Sequence, residues 1–448
     1  MQGAGDMNQP DLRSSQAASL LFIGDLHLGR VPTRLSGAGL DPRCLTPAVA
    51  WDSAVELAIR SEVAAVVLAG DVVDDEQDRF EAYDQLERGV RRLIAHDVEV
   101  VGVAGNHDSL VLPRLADRIP AFWLLGRDGH WEHYALPTDP QVDLLGWSFP
   151  ARHHRADPLD SPGLAESTGR RRPGAALIGV LHADLDAAGS AYAPTTRAGL
   201  ARQGADAWLL GHIHQPGISG GPAPLGYLGS LVGLDRGESG LHGAWMVRVL
   251  GPGRVSVEQV QVGPLRWETV EVSLDGIADD DGVKDAIHTA IEQAVRDRVA
   301  QDPRLCDPCL KAVGCSVICV GATAAHGRVR EVLASFGSAE LAFDVGEQRW
   351  AVVSCQDKTR LPVDLEQLRT QHTPVGQLAR LLWDLERGAE LAPGLADSLG
   401  RFAAVYDQGR WRADERPWTN VQTQQAVESS AWRLLDVLLR QQAAHGGE

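Results

Sequence analysis

Continuous apolar runs alternate with segments of helical periodicity through the N-terminal part of the chain. Residues 19–24, 63–69 and 101–104 are apolar runs of the length expected for buried strands, and residues 47–60 and 80–95 carry apolar side chains at helical spacing. This β-α-β-α-β order predicts parallel strands with right-handed crossovers, and therefore an α/β fold. The loops that follow the three strands should then emerge at one edge of the sheet.

The pattern changes twice further along the chain. Shorter apolar runs, interrupted by glycine and proline, predict more strands as far as Gly263 and Pro264, where we place a domain boundary. Beyond it, mixed strand and helix patterns predict a small α/β domain, and from residue 362 the chain is mainly helical. We therefore predict a flexible tail (1–18), a catalytic domain (19–265), a small α/β domain of capping type (266–361) and a helical C-terminal region (362–448).

Polar side chains stand directly after five of the predicted strands, which end in Asp25 and His27, in Asp71, in Asn106 and His107, in His182, and in His212 and His214. Taken singly, Asp25 could be a turn residue and His182 a hydrogen-bonded core histidine, so it is the recurrence that indicates a shared site. Carboxylate and imidazole side chains suit divalent transition metals such as manganese, iron or zinc. The set exceeds the three or four protein ligands of one catalytic ion, and so predicts two ions that share a bridging carboxylate. Such a pair polarises a phosphoryl oxygen and produces a hydroxide nucleophile near neutral pH.

The overall charge limits the classes of partner. The chain of 448 residues has 42 basic and 60 acidic residues and a net charge of −18, which argues against a broad cationic surface. Any contact with a nucleic acid would therefore be local. The sequence contains no apolar run near the roughly 20 residues needed to span a bilayer, and its first residues lack the features of a signal peptide. We expect a cytoplasmic protein that does not enter a membrane.

Five short motifs carry a resemblance to a known family. They are DLH (25–27), GDVVD (70–74), GNHD (105–108), His182 and GHIH (211–214). Together they resemble the signatures of the calcineurin-like metallophosphoesterases, over about residues 19–250. Three further segments most resemble one branch of this family, the DNA repair exonucleases of the SbcD and YhaO type. They are GWSFP (146–150), YAP (192–194) and GSLVGLDRGESGLHGAWMV (229–247). The resemblance implies a two-sheet sandwich flanked by helices and a centre of two manganese ions, with iron, zinc and magnesium as alternatives.

The resemblance also implies a role for each residue of the set. The first ion would be bound by Asp25, His27 and His214, the second by Asn106, His182 and His212, and both by the bridging Asp71. His107 would donate a proton to the leaving oxygen, and an acid of this kind needs an orienting partner. Asp74 stands where related phosphatases have that partner, and Asp108 is a second candidate.

A cluster of basic residues follows the GWSFP segment. It consists of Arg152, His153, His154 and Arg155, with residues 170–172 further along and Arg30 just after DLH. One interpretation is a local site that binds the phosphates of DNA beside the metals, although the chain as a whole is acidic. The other is a solvated loop, and the sequence leaves both open.

Two features of the C-terminal half also have alternative interpretations. Four cysteines lie close together in the sequence: Cys306, Cys309, Cys315 and Cys319. The first two have the spacing of zinc ligands, but the cluster is equally explained if the cysteines are small residues buried in the core. Leucines at helical spacing within residues 378–385 and 434–439 would ordinarily pack on their own domain. In the SbcD-type family, C-terminal helices dock on the coiled-coil base of an SMC-like ATPase, so these stripes could also bind such a partner.

The sequence thus favours a two-metal phosphodiesterase that acts on DNA, as an exonuclease or endonuclease in DNA repair or processing. The family adds a homodimer and an ATPase partner as expectations. A small-molecule or cyclic-nucleotide phosphodiesterase, or a phosphoprotein phosphatase, is the alternative that the acidic balance and Asp74 favour, and the additional C-terminal segments argue against it. A non-catalytic scaffold is the third hypothesis, against which the intact ligand set argues.

Overall fold

The computed structural model of the chain describes residues 17–32, 35, 39, 41–74, 79–221, 223–388 and 420–445. The chain forms two compact units, each assembled from separate segments. One comprises Met1–Val270, Val295–Ser316 and Gly337–Ser354, and the other comprises Glu271–Ala294, Val317–Phe336 and Cys355–Glu448. The domain boundaries at residues 265 and 361 stay predictions.

The first unit contains two six-stranded sheets and the helices that flank them. Their strands are β1 (Ala18–Ile23), β2 (Ala65–Ala69), β3 (Glu99–Val103), β4 (Phe122–Leu124), β5 (Glu132–Leu136), β6 (Val142–Trp147), β7 (Ala176–His182), β8 (Ala207–Gly211), β9 (Gly217–Ser219), β10 (Leu225–Tyr227), β11 (Ala244–Val249) and β12 (Val255–Val260). The helices are α1 (Pro47–Arg60), α2 (Arg79–Ile94), α3 (Leu112–Ala116), α4 (Leu164–Gly169) and α5 (Arg197–Ala201).

Both sheets have parallel strands at the centre; the second sheet has an antiparallel strand at each edge, and the first sheet has antiparallel strands at one edge only. The first sheet has the order β12-β11-β1-β2-β3-β4, and β1 to β4 run parallel while β11 and β12 run antiparallel to their neighbours. The second sheet has the order β5-β6-β7-β8-β10-β9, in which β6, β7, β8 and β10 are parallel. The predicted β-α-β-α-β order and the α/β class are confirmed.

The central strands are apolar along their whole length because both faces of each sheet are covered. Phe22 and Val67 of the first sheet pack with Leu144 and Ile178 of the second sheet in one buried cluster, which fills the space between the sheets. The outer face of the first sheet packs on α1 and α2, where the buried Trp51 donates to the Gln85 carbonyl at 3.2 Å. This two-sided burial fixes where each strand ends, and so fixes the loops that follow.

A third sheet and further helices follow in the chain. The sheet has the order β13-β14-β16-β15, with β13 (Leu265–Ser273), β14 (Ala312–Val320), β15 (Ala342–Val345) and β16 (Gln348–Asp357). The helices are α6 (Val283–Gln301), α7 (His326–Ser335), α8 (Leu365–Leu368), α9 (Pro374–Glu386) and α10 (Asn420–His445). The leucine stripes of α9 and α10 form a shared buried cluster that includes Leu382 and Leu435. None of the helices described is long and apolar enough to cross a membrane.

The strands that the sequence pattern missed are short or lie at sheet edges. β5 is an edge strand with partly exposed polar positions, and β9 and β10 have three residues each, too few for a period-2 pattern. The helix between β7 and β8 is short as well: α5 has five residues, with Thr196 as its N-cap and Arg202 as its C-cap. None of these differences moves a polar strand end.

Candidate metal centre

The polar side chains that follow β1, β2, β3, β7 and β8 meet at one edge of the two sheets. Five of them are almost fully buried, with exposed fractions of 5% or less: Asp25, His27, Asp71, Asn106 and His182. His212 and His214 are partly buried beside them. Buried carboxylates and imidazoles are costly unless they are paired or bind a cation, so the cluster has the character of a functional site.

Three side chains define the first half of the centre. Donor atoms of Asp25, His27 and His214 lie within 4.8 Å of one another. Nε2 of His27 is 3.0 Å from Nε2 of His214, and 4.0 Å from Oδ2 of Asp71. This half therefore contains the residues predicted for the first ion, with Asp71 at its border.

The second half is built around His182. Its Nε2 lies 3.0 Å from Oδ1 of Asn106 and 3.3 Å from Oδ2 of Asp71. The His212 ring is 5.2 Å from the His182 ring, centroid to centroid, and the His212 backbone N–H donates to Asp25 at 2.9 Å. Asp71 thus faces both halves, as a bridging carboxylate must.

Each imidazole is oriented by an oxygen on its other nitrogen. Nδ1 of His27 faces Asp74 at 2.8 Å, Nδ1 of His214 faces Glu238 at 2.8 Å, Nδ1 of His182 faces the Ala69 carbonyl at 3.1 Å, and Nε2 of His212 faces Asp184 at 3.2 Å. Oxygen partners of this kind fix the tautomer of histidines that bind metals. They leave Nε2 of His27, His182 and His214 directed at the centre, and they leave Nδ1 as the ring nitrogen of His212 that does not face a carboxylate.

Two of these contacts show that the centre fits a cation. His27 and His214 each have a carboxylate on Nδ1, and Asp74 and Glu238 have pKa values below the ordinary range, held down by these histidines against the opposing effect of burial. A carboxylate on Nδ1 leaves Nε2 as the nitrogen of each ring that faces the centre. The two Nε2 atoms lie 3.0 Å apart, a distance at which two ring nitrogens attract each other only through a shared proton or a bound cation.

The pKa values of the buried residues lead to the same conclusion. Burial alone would lower the pKa of His182, but the carboxylates of Asp71 and Asp25 outweigh it and raise the pKa to about 9. Burial likewise opposes the ionisation of Asp71, yet His182, His27 and His107 hold the pKa of Asp71 far below its usual value. The centre attracts positive charge, which in the metal-free protein is supplied by protons.

The backbone is strained where the ligands stand. Four non-glycine residues of the centre have positive φ angles: Asp25 (40°), His27 (48°), Asp71 (48°) and His212 (101°). Such conformations cost about 1–3 kcal/mol each and persist where function requires them. The backbone at Gly105 lies directly against the Asp71 carboxylate, which only glycine permits because a Cβ at this position would lie 2.1 Å from Oδ1 of Asp71.

His107 stands at the mouth of the centre and does not join the buried cluster. Its ring is exposed, lies 5.3 Å from the His27 ring, and contacts the backbone carbonyl of Asp74 through Nδ1 at 2.9 Å. The predicted orienting carboxylate of Asp74 faces His27 instead. Asp108 is fully buried and accepts from the backbone N–H groups of Val72 and Gly105, both at 2.7 Å, so it joins two site loops.

The predicted basic cluster divides into exposed and paired residues. Arg152, His153 and Arg155 are exposed, whereas His154 packs on Trp147 and burial lowers its pKa. Arg30 lies 3.9 Å from the Asp74 carboxylate. Residues 170–172 do not join the cluster, because these arginines pair in turn with Glu166, Asp206 and Asp143.

Two residues of the centre were not identified from the sequence. Asp184 follows His182 by two positions, and Glu238 lies within the 229–247 segment whose similarity was noted without a role for any residue. A contact that a loop carboxylate makes only in the folded chain cannot be predicted from the spacing of residues in the sequence. The described residues contain three groups able to hold a metal, and none includes a cysteine, which leaves Cys315 and Cys319 as buried core residues.

Comparison with known proteins bears on this centre directly. A family model described as "Calcineurin-like phosphoesterase" matches residues 18–216. This part of the chain is therefore similar to calcineurin-like phosphoesterase domains. A curated relative, "Uncharacterized metallophosphoesterase YhaO" of Bacillus subtilis (strain 168), is 27% identical over 235 residues, which are 49% of this chain and 53% of the relative. The chain therefore matches about half the length of that relative.

Two solved structures are also similar to parts of the chain. A "dimetal phosphatase from Danio rerio" aligns with 16% identity and a TM-score of 0.34, covering 55% of this chain and 99% of that one. A protein of Thermus thermophilus aligns with 9% identity and a TM-score of 0.31, over the same shares of both chains. The family match and the ligand geometry together support phosphoesterase activity and a centre for two divalent metal ions.

Proposed function

We propose that the chain is a phosphodiesterase that hydrolyses DNA, a nuclease of DNA repair or processing, with manganese as its metal. The observation that carries the choice of DNA is an exposed basic loop beside the second half of the centre. Tyr192 lies between them, with its ring 5.2 Å from His212 and 5.5 Å from His153. The resemblance of the GWSFP, YAP and 229–247 segments to DNA repair exonucleases supports the same choice.

The residues of the chain have separate tasks in this reaction. The seven ligands would hold two divalent ions: Asp25, His27, Asp71, Asn106, His182, His212 and His214. Ions held by these residues would lower the pKa of a bound water and would neutralise charge on the phosphoryl group. His107 delivers a proton to the leaving oxygen from the mouth of the centre, and the Asp74 carbonyl holds its Nδ1.

The basic loop binds the backbone of the substrate. The backbone of His154 bonds to Ala191 and Ala193 on either side of Tyr192, at 2.9 and 2.6 Å, which fixes the loop beside the centre. Arg152 and Arg155 are exposed at its ends, where they can contact phosphates flanking the reacting one. Because the net charge of the chain is −18, binding of an anionic polymer requires a local group of basic side chains of this kind.

The test is a parallel assay on four substrates with manganese present. Purified protein is incubated with end-labelled linear duplex, end-labelled single strands, bis-p-nitrophenyl phosphate and a cyclic nucleotide. Cleavage of DNA that stops on addition of a chelator is expected. Intact DNA with hydrolysis of the small phosphodiesters would overturn the choice of DNA and leave a small-molecule phosphodiesterase, which the acidic composition favours. Inertness toward all four substrates, with no metal bound, would leave the scaffold hypothesis.

We further propose that the nuclease works as a homodimer and that α10 docks on an SMC-like ATPase. Leu434 and Val437 support the docking surface, since about half of each side chain is exposed on a helix whose Leu435 is buried in the cluster with α9. The expected result is a dimer mass by light scattering, and loss of ATPase binding in a Leu434→Asp, Val437→Asp double variant that keeps its nuclease activity.

A further inference from the structure

Glu238 lies beyond the part of the chain that matches the phosphoesterase family, yet its carboxylate reaches the metal centre. The family match ends at residue 216, and Glu238 belongs to the segment that joins β10 to β11. Its Oε1 lies 2.8 Å from Nδ1 of His214. The Glu238 side chain is only 16% exposed, so water competes weakly for this contact.

The second carboxylate oxygen of Glu238 is held by its own segment. Oε2 accepts from the Leu234 backbone N–H at 2.7 Å and from the Ser230 hydroxyl at 3.2 Å. The Ser230 backbone N–H in turn donates to the carbonyl of His214 at 2.9 Å, and its hydroxyl contacts the buried His242 at 3.0 Å. With both oxygens engaged, the carboxylate cannot turn away from His214 without breaking these bonds.

The segment itself is anchored to a buried tryptophan of β13. The indole N–H of Trp267 donates to the Gly233 carbonyl at 2.9 Å, and the Trp267 carbonyl accepts from the Gly240 N–H at 2.8 Å. Glu238 is therefore tied down on both sides along the chain. A carboxylate on so fixed a segment can set the orientation of the ring that it contacts.

Asp184 makes the equivalent contact to the other histidine of the GHIH motif, through the opposite nitrogen. His214 has its carboxylate on Nδ1, whereas His212 has the Asp184 carboxylate on Nε2, at 3.2 Å. Two histidines only two residues apart are thus held in opposite ring orientations. Nε2 of His214 faces the first half of the centre, 3.0 Å from Nε2 of His27, and Nδ1 is the nitrogen of His212 that remains for the second half.

We propose that Glu238 is a positioning residue of the first metal site, which fixes His214 in the tautomer whose Nε2 binds the ion, while Asp184 serves the second site through His212. The inference rests on the proposed metal centre. Removing an oxygen partner of a metal-binding histidine weakens metal affinity by about 10–100-fold. Each variant should therefore weaken one ion and spare the other.

The experiment measures manganese binding by the full chain. Protein stripped with a chelator is titrated with Mn2+, and free Mn2+ is followed by its electron paramagnetic resonance signal. The variants are Glu238→Ala, Glu238→Gln, Asp184→Ala and the Glu238→Ala, Asp184→Ala double variant. Glu258→Gln, an exposed glutamate on β12, is the control for loss of one charge. Thermal melting of the metal-free proteins reports whether each variant is folded.

The wild type and Glu258→Gln should bind two ions. Glu238→Ala should bind one ion with wild-type affinity and the other about 10–100-fold more weakly, with partial recovery in Glu238→Gln, whose amide oxygen still accepts from Nδ1. The double variant should bind none at concentrations where each single variant binds one. Two ions of unchanged affinity in both Glu238 variants would overturn the inference and leave the proposed function intact. A wild type that binds no manganese would overturn the proposed function as well.

Discussion

The carboxylate of Asp74 contacts Nδ1 of His27 at 2.8 Å, and only its backbone carbonyl meets the ring of His107, at 2.9 Å. Asp74 of the GDVVD motif thus contacts the candidate metal centre and the proposed acid with different atoms. Its carboxylate orients the imidazole of His27, while its carbonyl orients the imidazole at the mouth. This division makes the two tasks separable by substitution.

Asp74→Ala should weaken metal binding and leave the acid in place. We expect about 10–100-fold lower affinity for one manganese ion, because His27 loses the oxygen that orients it, and recovery of turnover at saturating metal. Activity is measured against manganese concentration at several pH values. Turnover that stays low at saturating manganese, with a shifted pH profile, would instead mean that the carboxylate serves His107.

His107→Ala should show the reverse behaviour. The variant should keep both ions and lose about 10²–10⁴-fold in turnover on DNA, whose leaving oxygen needs a proton. The loss should be smaller on bis-p-nitrophenyl phosphate, because p-nitrophenolate leaves without one. Metal content and turnover on both substrates are compared, with Asp71→Ala as the variant that loses both properties. Loss of metal in His107→Ala would contradict its role as the acid.

The clustering of the candidate ligands was predictable from sequence because parallel strands deliver their carboxyl ends to one edge of a sheet. The strand pattern alone was enough to group Asp25, Asp71 and Asn106, because an apolar run is the strongest indication of a buried strand in this sequence. The structure brings these side chains within contact of His182 at the end of β7.

What the sequence did not reveal are contacts between loops. The Glu238–His214 pair depends on how the segment after β10 folds back, and no local spacing encodes that path. The same reason explains the arginines of residues 170–172, which looked like part of a basic patch. Arg172 pairs with Asp143, a fully buried residue at the start of β6, and so stabilises the sheet.

Gly105→Ala should disable the centre while the fold persists. The added methyl group would lie 2.1 Å from Oδ1 and 2.6 Å from the backbone nitrogen of Asp71, so the bridging carboxylate must move. We expect loss of manganese binding in a titration, with the melting profile of a folded protein. Gly169→Ala is the matched control, since a Cβ there meets nothing within 4 Å. Normal metal binding by Gly105→Ala would contradict the close approach.

The stability of the metal-free protein should fall between about pH 6.5 and 9. The pKa of His182 is raised to about 9, against the opposing effect of burial, by Asp71 and Asp25. Protonated His182 therefore stabilises the fold fully below its unfolded pKa of about 6.5, and this contribution, on the order of a few kcal/mol, is lost as the pH rises through about 9. Manganese must displace this proton, so metal affinity should rise over the same range. The first trend is tested by melting temperatures measured against pH in the presence of a chelator, and His182→Gln should lose this pH dependence. The second trend is tested by manganese titrations at each pH.

Arg152→Ala and Arg155→Ala should separate binding of the polymer from the chemistry. These exposed arginines lie on the loop fixed beside Tyr192 and His212, so each should raise KM for DNA and leave kcat nearly unchanged. Each lost phosphate contact should also reduce the slope of log affinity against log salt by about 1. Hydrolysis of bis-p-nitrophenyl phosphate should stay at the wild-type rate, because a small ester does not reach the loop. Arg170→Ala is the control, since this arginine pairs with Glu166 on an exposed helix. Equal losses on DNA and on the small ester would mean that the loop supports the metal centre and does not bind substrate.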